Sequence, residues 1–98
     1  MRRVLPGDVA AVARVLLAVP PAVRPLRVER LIRVAQAADR YRIATGRAHP
    51  RWGTGSLMAA ASGMHKVVDP GFDDDDYCRA WALTLEALVR HRAGQAVR

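Results

Sequence analysis

Among its 98 residues the sequence has a single cysteine, Cys78, and a single lysine, Lys66. One cysteine closes no internal disulfide, so neither a disulfide framework nor an oxidising compartment is implied. Cys78 reads as a small buried apolar residue. Aromatic side chains make up 5% of the chain. Neither they nor the β-branched residues gather into runs, and no stretch of four residues alternates cleanly between apolar and polar. Both absences argue against a sheet. Long apolar runs are missing too: none approaches the roughly 20 residues needed to cross a bilayer. The start Met1-Arg2-Arg3 precedes an apolar stretch, but Asp8 and Arg14 interrupt it and no small-residue cleavage site follows before Pro20-Pro21, so it is not read as a secretion signal. The expectation is a soluble, cytoplasmic protein that does not bind membranes.

The motifs of common chemistries are absent as well. His49, His65 and His91 stand apart with no metal-ligand spacing, and Cys78 has no evident activating neighbour. There is no nucleophile elbow, no phosphate-cradling loop with its lysine and no dinucleotide fingerprint. The four consecutive aspartates Asp73 to Asp76 lack the glycine and glutamate spacing of a calcium loop. On a helix start they are better explained as charges placed favourably against the helix dipole. No catalytic residue, metal site or cofactor is expected, and the chain is not read as an enzyme.

What the sequence does have is alanine, arginine and helical periodicity. Eighteen of the 98 residues are alanine, the strongest helix former, and the length suits one domain spanning residues 1–98. Asp8, after Pro6-Gly7, is read as the N-cap of a first helix over about 8–19, stopped by Pro20-Pro21. Pro25 sits in the first turn of a second helix that runs to Thr45, with Gly46 as its C-terminal cap. Residues 46–55 have no periodicity and form a loop. Ser56 caps a short third helix from Leu57 to about Met64, and the aspartate run opens a fourth that continues to about Arg92, with a frayed tail beyond Gly94. The predicted fold is all-α, a compact bundle of four helices with the third short.

The formal net charge is +7, and fifteen of the sixteen basic residues are arginine. Setting aside Asp73 to Asp76 raises the net charge of the remainder to +11. Such an excess draws anionic partners, whether acidic protein surfaces or nucleic acid. On helix two, Val28, Leu31, Ile32, Ala35 and Ala38 form the apolar stripe, and Arg30, Arg33 and Arg40 lie on another face with Arg27. Helix four is given the apolar stripe Tyr77, Cys78, Trp81, Leu85, Leu88 and Val89. Asp39 and Arg42 fall on or beside the inward stripe of helix two, where a charge needs a partner. Asp39 is therefore expected to anchor the following loop, taking hydrogen bonds from Arg42, Arg47, His49 or Arg51 or from loop amides.

Arg47, His49, Arg51 and Trp52 bring to that loop the charged, hydrogen-bonding and aromatic groups enriched at binding hot spots. The stretch Ala38-Asp39-Arg40-Tyr41-Arg42, continued by Thr45 to Gly53 and by Ser56-Leu57-Met58-Ala59-Ala60, resembles small uncharacterised helical proteins of alphaproteobacterial type, a resemblance that implies no activity. The reading is a non-enzymatic basic interaction module, an adaptor or regulator. It docks an acidic partner surface through Arg30, Arg33, Arg40, Arg47, His49, Arg51 and Trp52, and self-association into a homo-oligomer is compatible with it. The alternative is a nucleic-acid-binding regulator using the same surface. Against it stand the lack of a tight helix-turn-helix turn and the presence of only one amide, Gln36, on the prospective reading helix.

Overall fold

Four α-helices account for the regular structure in the computed structural model, which describes residues 1–96: α1 (Pro6–Leu17), α2 (Arg24–Thr45), α3 (Leu57–Ala61) and α4 (Asp75–Ala96). No strand is present among the described residues, only an isolated antiparallel bridge between His49 and Gly53. The all-α bundle with a short third helix is the fold expected from composition and periodicity. No described helix is long and apolar enough to cross a membrane.

Helix α1 is apolar nearly all round, and such a helix is stable only when enclosed. Val9, Ala11, Val12, Ala13, Val15 and Leu16 are all buried, and α1 packs against each of the other three helices, most extensively α4. Its start corrects the sequence reading. Pro6, not Asp8, opens the helix, and Asp8 sits in the first turn. From there the buried Asp8 carboxylate accepts hydrogen bonds from the Leu5 amide at 2.9 Å and from the Met58 amide at 2.9 Å, tying the starts of α1 and α3 together. The helix ends at Leu17, two residues early, because Pro20 and a 3₁₀ turn at Pro21–Val23 redirect the chain.

Helix α2 follows its expected course. Val28, Leu31, Ile32, Ala35 and Ala38 are buried, and Gly46 ends the helix with φ of 73°, its amide bonded to the Arg42 carbonyl. Ser56 caps α3 as expected, accepting from the Ala59 amide at 3.0 Å. The helix stops at Ala61 rather than Met64, because the Lys66 ammonium takes over the Ala61, Ser62 and Met64 carbonyls.

Helix α4 departs most from its sequence reading. Its buried face is Tyr77, Ala80, Thr84, Ala87 and Leu88, three of them small, and Thr84 hides its hydroxyl by donating to the Ala80 carbonyl at 2.8 Å. Leu85 and Val89, assigned to the inward stripe, are 48% and 57% exposed. Cys78, expected to be buried, is also exposed, and its thiol donates to the Phe72 carbonyl. The helix passes through Gly94 to Ala96; the rest of the tail expected to fray lies outside the described residues.

The aspartate run is used locally. Asp74 accepts from the Tyr77 amide at 2.9 Å, and Asp76 pairs with Arg24. Arg24 is a buried arginine that the sequence reading left unassigned. Its Nη atoms grip both oxygens of Asp76 at 2.8 and 3.0 Å, and its Nε donates to the Leu16 carbonyl at 2.7 Å. One side chain thus ties the end of α1 and the start of α4 to the start of α2.

Candidate interaction site

The candidate residues fall into two neighbouring groups. On α2, Arg30, Arg33 and Arg40 are exposed, and none joins an ion pair among the described residues. The Glu29–Arg33 pair that i,i+4 spacing permits does not form. Two turns apart on one face, Arg33 and Arg40 meet Arg90 of α4 across a cleft of about 460 Å³ whose wall also includes Gln36, His91 and Gln95. No carboxylate lines it among the described residues. Arg30 lies on the same side of α2 but outside the cleft.

Gln36 and His91 form the seam between the two helices, the amide oxygen 2.6 Å from Nε2 of the imidazole. That distance calls for the tautomer with its proton on Nε2. Burial, then the N-terminal ammonium and then Arg40 hold the His91 pKa below its ordinary value. A neutral, hydrogen-bonded imidazole therefore separates the guanidinium groups. Arg90 and His91 are not legible as site residues in the sequence, where α4 is marked only by its apolar stripe.

The second group is the loop after α2. The Nδ1 of His49 accepts from the Arg51 amide at 3.0 Å and the Trp52 amide at 3.1 Å, and paired bonds between His49 and Gly53 close the turn. The imidazole stacks on Trp52 with centroids 4.5 Å apart, and Tyr41 of α2 meets it edge-on at 4.9 Å. Packing and hydrogen bonding thus order the loop, and they leave Arg47 and Arg51 exposed at its tip. Tyr41 joins the two groups, since helical spacing sets it beside the arginine face. Arg47, His49, Arg51 and Trp52 do not line the cleft.

Asp39 has the inward position expected of it. Its partner is Arg42, which donates to Oδ1 at 2.8 Å, and the Met1 ammonium lies 3.3 Å from Oδ2. The Arg42 hydrogen bond, opposed by burial and aided by the ammonium, lowers the Asp39 pKa. Arg47, His49 and Arg51 are not its partners, and no loop amide donates to it among the described residues. The loop is fastened to Asp39 by close backbone approach instead. A Cβ added to Gly55, whose φ is 100°, would lie 2.7 Å from the Asp39 Cα, and the Gly55 carbonyl accepts from the Arg2 amide at 2.9 Å.

Beyond Gln36 and His91, on the side of α4 away from Arg33, lies a second cleft of about 570 Å³. Val4, Leu5, Trp81, Leu85 and Leu88 give it apolar walls, with Arg2, Arg3 and Arg92 at its edges. Spacing turns Trp81, Leu85 and Leu88 inward on α4 and gives Val4 and Leu5 no role, so the cleft is not legible in the sequence. A family model described as "Domain of unknown function (DUF7742)" matches residues 2–88, a span that includes the α2 wall of the basic cleft and most of the apolar one but not Arg90, His91 and the α4 residues after them. No curated protein and no solved structure matches the chain.

Proposed function

The chain belongs to the DUF7742 family, and we propose that this member of it is a small basic interaction module that docks the acidic surface of a partner protein. One observation carries the reading: Arg33, Arg40 and Arg90 converge from two helices on one cleft, and no carboxylate among the described residues neutralises them. Guanidinium groups held this way are set to take carboxylates in paired hydrogen bonds. The ordered loop bearing Arg47, His49, Arg51 and Trp52 extends the contact surface, with the aromatic stack as its rigid part. The role is that of an adaptor or regulator rather than a catalyst.

Nucleic acid is the competing anion, and the state of Gln36 counts against a sequence-reading role. The oxygen of Gln36, the one amide side chain of α2, is engaged by His91, which spoils adenine reading and leaves guanine edges and the phosphate backbone to the arginines. The test is fluorescence anisotropy with a labelled glutamate-rich peptide and with duplex and single-stranded DNA, at low and then moderate salt. The acidic peptide should bind, and reversing two charges in Arg33→Glu/Arg40→Glu should weaken it about tenfold or more. DNA that binds more tightly than the peptide at moderate salt and loses affinity in the same variant would replace this reading with the nucleic-acid one.

A further inference from the structure

We infer that the two clefts form one continuous groove that seats an acidic amphipathic helix of the partner, a specification that rests on the docking role proposed above. Gln36, His91 and Gln95 line both clefts, so the apolar one and the basic one share a wall. Arg2, Arg3 and Arg92 edge the apolar half, and Arg33, Arg40 and Arg90 lie in the basic half. Among the described residues neither half has a carboxylate; Glu29 comes at the far end of the α2–α4 seam, beside Ile32 and Ala87.

The apolar half has the form of a docking site for a helix. Trp81, Leu85 and Leu88 follow one another at i, i+4 and i+7 on α4, and Leu5 faces the same space from the segment before α1. Leu5 is 51% and Leu85 48% exposed, so the chain leaves this apolar surface uncovered. Helices that dock in grooves present apolar anchors at the same spacing. The charge pattern selects among occupants. A second copy related by a twofold axis would bring Arg2, Arg3 and Arg92 against their own equivalents, whereas a helix with a leucine face flanked by glutamates meets apolar wall and arginine together.

The experiment uses the full chain and two labelled helical peptides, one with leucines on one face and glutamates elsewhere, the other with each leucine replaced by glutamine. The leucine peptide should bind at least tenfold more tightly. Leu85→Gln, at a half-exposed position, should remove that advantage while leaving the weak binding of the glutamine peptide unchanged. Leu5→Gln, on the opposite wall, should do the same if the α4 variant folds poorly by circular dichroism. Equal affinity for the two peptides would overturn the groove assignment and leave acidic docking standing, and failure of both to bind would remove both. Sedimentation of the unliganded chain covers the remaining occupant: a dimer that Leu85→Gln splits would mean that the groove is sealed by a second copy, and the inference would fall.

Discussion

Arg24 illustrates how a single side chain can be decisive and still be hard to read. In the sequence it is one arginine among fifteen, next to Pro25. What buries it is Asp76, 52 residues away, together with the Leu16 carbonyl at the end of α1. Arg24→Leu leaves those acceptors unpaired and should cost about 2 to 3 kcal/mol in urea unfolding, whereas Arg24→Lys should cost less, since it keeps the charge but not the two-point grip. The Arg24 hydrogen bonds also lower the Asp76 pKa, against the opposing effect of burial. The sign follows: the contribution is present above the ordinary carboxylate pKa and is lost as pH falls through the lowered one. Asp76→Asn should therefore flatten the acid end of the stability curve. Because the Asp76 side chain is 49% exposed, solvent screening keeps this effect modest. Asp8 was legible as a helix-start residue but not as the acceptor for Met58, since that partner arrives only when α3 packs on α1.

For whole elements, legibility followed the number of apolar residues competing for each face. Helix α2 carries a single apolar stripe among many charges, so its buried face was plain from spacing alone. Helix α4 carries more apolar residues than one face can hold. Spacing favoured the large ones, while packing in the bundle buried Ala80, Thr84 and Ala87 and left Leu85 and Val89 outside. The loop was legible as a loop and as a cluster of interacting residues. Its closure by His49 and its approach to Asp39 depend on backbone geometry that composition does not encode. Two glycines separate these effects. A Cβ at Gly46 meets nothing within 4 Å, so Gly46→Ala should cost only the left-handed backbone strain, about 1 kcal/mol. Gly55→Ala adds a clash with the Asp39 backbone and should cost clearly more, about 2 to 4 kcal/mol, with a change in Trp52 fluorescence as the loop lifts. Thermal unfolding of the two variants side by side checks the order.

The whole molecule is a basic body in which five of the nine acidic residues, Asp8, Asp39, Asp69, Asp74 and Asp76, each hold a donor of the fold. Charge excess was plain in the sequence, but its concentration between α2 and α4 was not, because Arg90 and His91 meet Arg33 and Arg40 only through tertiary packing. That meeting has a pH signature. His91 faces Gln36, Arg33 and Arg40 on α2, Arg90 and Gln95 on α4, the Met1 ammonium and, along the seam, Glu29. Since its pKa is lowered on folding, the stability it confers is present above about 6.5 and is lost as pH falls through the lowered value. A bound acidic peptide acts in the opposite sense by favouring the imidazolium. Peptide affinity should therefore rise as pH falls toward the lowered His91 pKa in the wild-type chain and stay flatter in His91→Gln, as read by anisotropy over a range in which the peptide carboxylates remain ionised.

The contact between Gly55 and Asp39 also constrains how this family can vary. With no room for even a methyl group between the two backbones, a member bearing a side chain at position 55 must have moved its loop off the second helix, by insertion, deletion or a changed cap. Glycine here and the loop length between these two positions should therefore be inherited together, and homologues that break one should break the other.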